Sequence, residues 1–555
     1  MSDIESKIKA VISDAVEKEF SFRPDDELLM VEAPRDTSMG DYATNIAMRL
    51  AKTLKMNPEI IANKIVEAMK PELPEMDSIT VARPGFINFK MKEAALANKI
   101  NEILEAGDDY GHNKSGNGLR ILVEYVSANP TGDLHCGHAR GAAWGDCITR
   151  LLNASGYDCL REFYINDAGH QIDMLGESLI SRYFEHFGKE YPLPEEGYHA
   201  QDVIDIANNI AEKEGDKWLT ADPTERLEHF KDEGIELELK KIEDDLRLYR
   251  VEFDSWVHER FFYKDNSIRI KQVLDKMKAM NLTYEQDGAL WFRSTEYGDD
   301  KDRVLVKKDG SLTYMTPDIA NHVYKLERGY TKLVNLWGAD HHSYITRMTA
   351  ALEALGYPKG TLEVDLIQMV RMVEDGKEVK MSKRTGNAIT LRELCEDVGI
   401  DAARWFFVSK DVGTHMDFDL KLARTKTNEN PVYYVQYAYT RMSSILKGTA
   451  KHPAPEFKKE ASYDLLTDPK EMVILKQLGE FPGIVADAAK TRMPNKICNY
   501  LQALAKNFHN YYVTNKVNDP EKPELTNQRL GLIHASMITM KNALHLIGVS
   551  APEKM

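Results

Sequence analysis

The sequence predicts an α/β protein of three units: a small α+β N-terminal domain, a parallel-sheet domain with a helical insertion, and an all-α C-terminal helical bundle. Three observations lead there. A chain of 555 residues exceeds what one core accommodates. From residue 119 to about 424, short runs of branched residues alternate with amphipathic segments, the pattern of parallel strands joined through helices. Beyond 425 only helical spacing remains.

In the first unit, 1–112, Ile8, Val11, Ile12 and Val16 form a helical stripe, and the alanine-rich stretch 41–54 reads as a second helix. Residues 78–81 read as a strand leading into Arg83-Pro-Gly-Phe-Ile-Asn-Phe89, and 108–118 is a turn-rich linker. The second unit, 113–424, opens with a strand at 121–126, which Pro130 and Gly132 break, and a helix at 139–152. The best second strand is 158–165, and 166–171 is the strand-end loop where ligands bind in such sheets. About 176–255 is an acid-rich helical insertion with no motif of its own. Sheet-like patterns return at 288–292, 304–306 and 333–337, and the strand-like run 362–373 ends in the turn Glu374-Asp-Gly-Lys377. In the third unit, 425–555, helical spacing at 432–439, 469–489, 495–510 and 527–546 predicts a bundle. Its tyrosines and Phe508-His-Asn-Tyr-Tyr512 are either core or platforms for unpaired bases.

Five cysteines, odd in number and without a Cys-x-x-Cys pair, support neither a disulfide framework nor a zinc knuckle. The N-terminus lacks a basic-then-apolar leader and no run approaches membrane-spanning length, so a cytoplasmic location without membrane contact is expected. A net charge of −16 argues against coating nucleic acid by bulk charge. From Pro431 onward, however, sixteen Lys/Arg stand against eleven Asp/Glu, and this local +5 is where an RNA backbone can dock.

The most informative stretch is Glu124-Tyr-Val-Ser-Ala-Asn-Pro-Thr-Gly-Asp-Leu-His-Cys-Gly-His138. It reads as strand, loop and helix start. Two imidazoles three residues apart share one helix face beside free backbone N–H groups, which suits a polyphosphate, and Gly137 leaves room for a flat base. A second element, Val379-Lys-Met-Ser-Lys-Arg-Thr-Gly-Asn387, follows the turn at 374–377 and places Lys380 and Lys383 on an exposed loop as movable charges.

Leu134-His-Cys-Gly-His138 resembles the "HIGH" element, and Lys380-Met-Ser-Lys383 the "KMSK" element, of class I aminoacyl-tRNA synthetases. Cys136 stands where the named motif has Ile. The longer Ser127-Ala-Asn-Pro-Thr-Gly form, with Glu124 ahead of it, resembles the arginyl-tRNA synthetases, and the resemblance covers nearly the whole chain. It implies a Rossmann-like catalytic domain and ligation of arginine to tRNA(Arg). ATP would enter as its Mg2+ complex, with no tightly bound cofactor and no resident metal. It also implies that activation needs bound tRNA. By the same resemblance His135, His138, Lys380 and Lys383 are catalytic, and Pro130, Thr131, Gly132, Leu134, Gly137, Asp340, Met381 and Ser382 bind ATP. Glu124, Ser127, Asn129, Tyr314, Asp318 and Gln171 line the arginine pocket. The N-terminal unit is similar to the added domain that contacts the tRNA elbow, and the last unit to an anticodon-binding domain. A monomer is expected.

Residue chemistry agrees with a guanidinium substrate, because a planar cation with five donors needs carboxylates in a fixed plane. Asp318 has another reading as a helix N-terminal carboxylate. Rival functions are a synthetase for glutamate or cysteine, a non-catalytic RNA-binding paralogue, and a small-molecule nucleotidyltransferase. A glutamate pocket needs arginine and a cysteine pocket needs zinc-binding thiolates.

Overall fold

The computed structural model describes residues 3–555 except 26, 33, 35–38, 380–387 and 449–452. In the N-terminal unit α1 (Asp3–Phe20) packs on α3 (Pro58–Met69), and α2 (Ile46–Leu54) and α3 pack on an antiparallel sheet of β1 (Tyr42–Thr44), β2 (Met76–Ala82) and β3 (Phe86–Met91), in the order β1-β3-β2. Residues 42–44, expected as helix, are strand. They pair with Phe89, Asn88 and Ile87, and Gly40, at φ 131°, lies so close to Phe89 O that no Cβ would fit. Cross-strand pairing here overrides the helical propensity of the alanines. Two short helices, α4 (Glu93–Ala97) and α5 (Lys99–Ala106), lead to the sheet of the second unit.

That unit begins with β4 (Arg120–Glu124), α6 (Cys136–Ala154) and β5 (Asp158–Ile165). Residues 121–123 of β4 are all buried, as befits a central strand covered on both faces. The insertion consists of α7 (His170–His186), α8 (Gln201–Glu214) and α9 (Pro223–Leu248), around its own cluster of Leu179, Tyr183, Ile210 and Phe230. Helix α7 starts at His170, so Gln171 lies on a helix and not in the strand-end loop expected for it. β6 (Ser255–His258) returns to the sheet, and α10 (Lys264–Ala279) leads to β7 (Thr283–Gln286), β8 (Ala289–Phe292) and β9 (Arg303–Val306). These three form a separate antiparallel sheet, so the runs at 288–292 and 304–306 do not extend the parallel one.

Next come α11 (Met315–Glu327), β10 (Lys332–Gly338), α12 (His342–Ala354) and β11 (Leu362–Ile367). The central sheet has the order β11-β10-β4-β5-β6, with every neighbouring pair parallel. The run 362–373 is two strands. β12 (Val370–Glu374) pairs with β13 (Lys377–Glu378) through an Asp375-Gly376 turn, both residues at positive φ, and with β14 (Met416–Asp419) in a third sheet. Between them lie α13 (Leu391–Val398) and α14 (Ile400–Val408), and α15 (Leu420–Arg424) follows. The bundle is α16 (Pro431–Lys447), α17 (Pro469–Thr491), α18 (Asn495–Thr514) and α19 (Pro523–Leu546). Of its aromatic residues, Tyr439, Phe508 and Tyr511 are core, whereas Tyr433, Tyr437 and Tyr512 are only partly covered.

The three units share one apolar core, which runs from Ile8 to Val549. Polar contacts fix how they dock. Tyr110 OH donates to Leu478 O at 2.7 Å, and Arg492, at the end of α17, reaches Glu363 and Asp365 of β11 at 2.6 and 2.7 Å. At the centre Arg404 of α14 is fully buried: it pairs with Asp146 of α6 and donates to Tyr249 O at 2.9 Å and Ile547 O at 3.1 Å. Gly548, at φ 67°, lets the chain pass within van der Waals range of that guanidinium.

Arg404→Met therefore leaves Asp146, which is itself fully buried, with Arg150 alone, whose Nε lies 2.8 Å away, and is expected to cost about 3 kcal/mol. The thermal midpoint should fall, and Asp146→Leu in the same chain should recover part of the loss; an additive further loss would refute the pairing argument.

Candidate active site

The chain leaves β4 toward β5 on one side and reaches β10 on the other, so the strand order reverses at β4. In parallel α/β sheets the crevice beyond the carboxyl ends at such a point receives ligands. Three segments converge on it: the β4–α6 loop, the start of α7 with Gln171, and the β10–α12 connection with Asp340.

The loop from β4 is tightly constrained. Val126 and Ser127 have φ of 68° and 41°, conformations that cost a β-branched or ordinary residue about 1–3 kcal/mol and need surrounding contacts to hold them. Ser127 Oγ accepts from Tyr164 N at 3.1 Å and donates to Glu124 Oε1 at 3.3 Å, which pins the turn. Farther along, Asn129 Nδ2 donates to Gln171 Oε1 at 2.8 Å, joining the first two segments.

At the start of α6 the two histidines cap the helix. His135 Nδ1 accepts from Gly137 N at 3.1 Å, His138 Nδ1 accepts from His135 N at 3.3 Å, and the rings stack with centroids 3.8 Å apart. An imidazole whose Nδ1 accepts from the backbone carries its proton on Nε2. Burial lowers both from the usual histidine value, His138 to about 4, with the neighbouring His135 contributing. Near pH 7 the pair is thus two neutral Nε2–H donors beside the free N–H groups of the helix end, and not two cations. Gly137 has a further reason to be glycine: a Cβ would meet the His135 ring at 2.9 Å.

Lys380, Met381, Ser382 and Lys383 lie outside the described residues. The segment that follows them adjoins the histidine loop: Leu391 N donates to Leu134 O at 2.7 Å and Cys136 N to Ile389 O at 3.2 Å. The histidine loop is therefore stitched to residues 389–391. From α6, fully buried Arg140 adds hydrogen bonds of 2.8–2.9 Å to the carbonyls of Gln368, Asp411 and Thr414.

Beside this lies an acidic pocket. Lys325 of α11, fully buried, pairs with Glu124 and lies 3.7 Å from Glu162, whose other partner is Arg328. Glu124 is thus already neutralised within the protein. Asp318 is not: its Oδ2 accepts from Tyr344 OH at 2.5 Å, and burial with Glu124 nearby pushes its carboxyl up to about 6. Glu259 is raised to about 7 by burial and by Asp318, with Tyr263 OH donating to it at 3.3 Å. Among the described residues no Lys or Arg forms an ion pair with either acid. Asp318 makes no cap bond at the start of α11; instead its backbone carbonyl accepts from His322 Nδ1 at 2.7 Å. Tyr314, just before α11, is 83% exposed and lies near Tyr263.

Glu259, Tyr344, Lys325 and Tyr164 carry no local motif, and sequence reasoning missed them. Only the chemical demand for a second carboxylate signalled Glu259. Outside the crevice, Glu214, His229 and Glu233 gather their ligand atoms within 4.8 Å. Glu214 there already accepts from Trp218 Nε1 at 2.8 Å and faces Lys217 at 3.5 Å, so that carboxylate needs no metal ion.

Comparisons with known proteins cover the whole chain. Residues 3–91 fit the model for the arginyl tRNA synthetase N terminal domain, 99–419 that for the class I (R) tRNA synthetase catalytic domain, and 435–555 that for the DALR anticodon binding domain. The arginine–tRNA ligase of Bacillus subtilis is 49% identical over 557 residues, 100% of this chain and 99% of that protein. The chain belongs to the arginyl-tRNA synthetase family. The Geobacillus thermodenitrificans ligase is 50% identical over 527 residues, 95% of this chain and 94% of its own. Arginyl-tRNA synthetase structures from Thermus thermophilus (22% identity, TM-score 0.75) and Plasmodium falciparum (17%, 0.77) cover 100% of both chains and share the fold.

In 15N spectra of histidine-labelled protein, His135 and His138 should both be Nε2–H tautomers at pH 8, with His138 protonating only near 4. Because this folded value lies below the unfolded one, the stability the group contributes is present above about 6.5 and fades as pH falls toward 4. A titration of His138 centred near 6.5 would overturn the capping geometry.

Proposed function

We propose that the crevice activates L-arginine with ATP and transfers it to tRNA(Arg), giving arginyl-tRNA and AMP. The observation that carries this reading is the pair of raised carboxyls, Asp318 and Glu259, buried without an ion pair among the described residues, beside a helix start that offers neutral donors to phosphate. A guanidinium supplies the missing charge and donors for both acids and the Tyr344 and Tyr263 hydroxyls. Asn129 and Gln171, with Ser127 beneath, suit the amino acid's polar end, and Tyr314 closes over the side chain. Glu124 orders the pocket through Lys325 and Ser127.

The arginine carboxylate attacks the α-phosphorus of ATP, the bond to the bridging oxygen breaks, and pyrophosphate leaves. A ribose hydroxyl at the tRNA end then attacks the adenylate carbonyl and releases AMP. No covalent enzyme intermediate is needed, so catalysis is positioning plus charge stabilisation. His135 and His138 donate to the phosphates from the end of α6, with Pro130, Thr131, Gly132, Leu134 and Gly137 shaping the loop and Asp340 facing the ribose. Lys380 and Lys383 follow the β- and γ-phosphates of the magnesium–ATP complex, flanked by Met381 and Ser382. Bound tRNA completes the site for activation.

The units at 1–112 and 425–555 hold the tRNA, the latter through its +5 excess and the partly covered Tyr433, Tyr437 and Tyr512. No helix among the described residues is long and apolar enough to cross a membrane; a cytoplasmic monomer is part of the proposal.

Incubation with ATP and each labelled amino acid, with and without total tRNA, should yield charged tRNA with arginine only; charging of another amino acid would refute the pocket. His138→Ala should slow activation by about 10²–10³-fold in a protein that remains folded, and a normal single-turnover rate would remove the histidines from the phosphate site.

Asp318→Asn keeps an acceptor but loses the charge, so the KM for arginine should rise at least roughly tenfold while the KM for ATP barely moves. Since the arginine side chain stays charged throughout, the wild-type KM for arginine should also rise as pH falls through about 7 to 6, where Glu259 and Asp318 take up protons. A KM independent of pH from 5.5 to 8 would exclude both carboxylates as guanidinium ligands.

A further inference from the structure

The helical insertion carries no motif, yet one of its helices touches both sides of the phosphate loop. Along α9, Glu238, Lys241, Ile242 and Asp245 share one face at helical spacing. Lys241 Nζ lies 2.5 Å from Asp133 Oδ1, two residues ahead of His135, and 3.4 Å from Asp202 Oδ2 of α8. One turn on, Asp245, 2% exposed, is held at 2.5 Å by Arg392 of α13. Arg392 follows Leu391, whose N–H bonds Leu134 O, and Thr390, which caps α13 and bridges to His135. Glu238 is fully buried and neither of its carboxylate oxygens has a hydrogen-bond partner. Burial beside Asp202 and Asp133 pushes its carboxyl up to about 7, so at and below neutrality it leaves Lys241 largely to Asp133. The helix itself is seated by close packing: a Cβ on Gly234 would meet Leu179 of α7 at 2.5 Å.

We propose that α9 is a brace for the phosphate loop, in which Lys241 is a positioning residue that holds Asp133, and Asp245 holds Arg392, so that one helix sets the loop before His135 and the segment after residue 387 in fixed register. This rests on the reading of His135 and His138 as the ATP contacts. A half-exposed pair of this kind contributes little to stability, but it controls where the imidazoles stand relative to the triphosphate, and displacement by about 1 Å costs on the order of 10²-fold in rate.

The test is steady-state aminoacylation by the full chain with thermal unfolding measured in parallel. Lys241→Met should lower kcat/KM for ATP by about 10–100-fold, leave the KM for arginine within about twofold, and hardly move the thermal midpoint. Lys241→Arg, which still reaches both carboxylates, should restore most of the loss, and Asp133→Asn added to Lys241→Met should cost nothing more. Asp133→Asn alone, at an exposed position, carries the same expectation and serves if Lys241→Met does not fold. Wild-type ATP kinetics in Lys241→Met or Asp133→Asn, or additive losses in the double variant, would overturn the brace. His138→Ala in the same assay separates the two ideas: if it is impaired while Lys241→Met is normal, only the brace fails, and if His138→Ala is itself normal, the phosphate-site reading fails with it.

Discussion

The buried ammonium of Lys325 is the interaction on which the site depends. A fully buried lysine is stable only if paired, and here Glu124 at the end of β4 and Glu162 on β5 meet it, with Arg328 on the far oxygen of Glu162. Two cations and two carboxylates cancel, and they lock α11 onto the two strands that open the crevice. The balance leaves Asp318 and Glu259 as the uncancelled acids. Their raised carboxyls express the same physics as the lysine's pairing: charge taken from water, here with no ion pair to a Lys or Arg among the described residues. In the proposed function a substrate bearing a permanent cation supplies that pairing.

The second constraint is backbone geometry. Val126 and Ser127 sit at positive φ immediately after Glu124, and Ser127 is tied on both sides by Tyr164 N and Glu124. Strain held by surrounding bonds turns the chain out of the sheet within two residues, so that the start of α6 faces the crevice. There the histidines use their Nδ1 atoms to cap the helix, which presents the opposite nitrogens, protonated and neutral, outward. Neutral donors suit the proposed site for a magnesium–ATP complex, because imidazolium groups would repel the metal ion.

Much of this was legible in the sequence. The strand–loop–helix of 121–152 declared itself through Pro130, Gly132 and a change of hydrophobic period. Other readings failed for definite reasons. Residues 42–44 look helical because alanines are locally neutral, and only the partner strand, more than forty residues away, makes them strand. The run 362–373 looks continuous because both its halves are apolar, whereas β11 and β12 pair with different sheets. Gln171 looks like loop because Gly169 precedes it, yet α7 begins at His170.

The sequence by itself determined the chemistry on offer, the order of elements and the family, since these reside in local spacing and in motifs of adjacent residues. Only the tertiary structure decided which charges meet. Lys325 reads as an ordinary helical lysine, Glu259 as one acid among many, and Lys241 and Asp245 as a solvated face; each acquires its role from a partner contributed by a separate element. Electrostatic energy depends on distance and burial through space, and neither quantity is written along the chain.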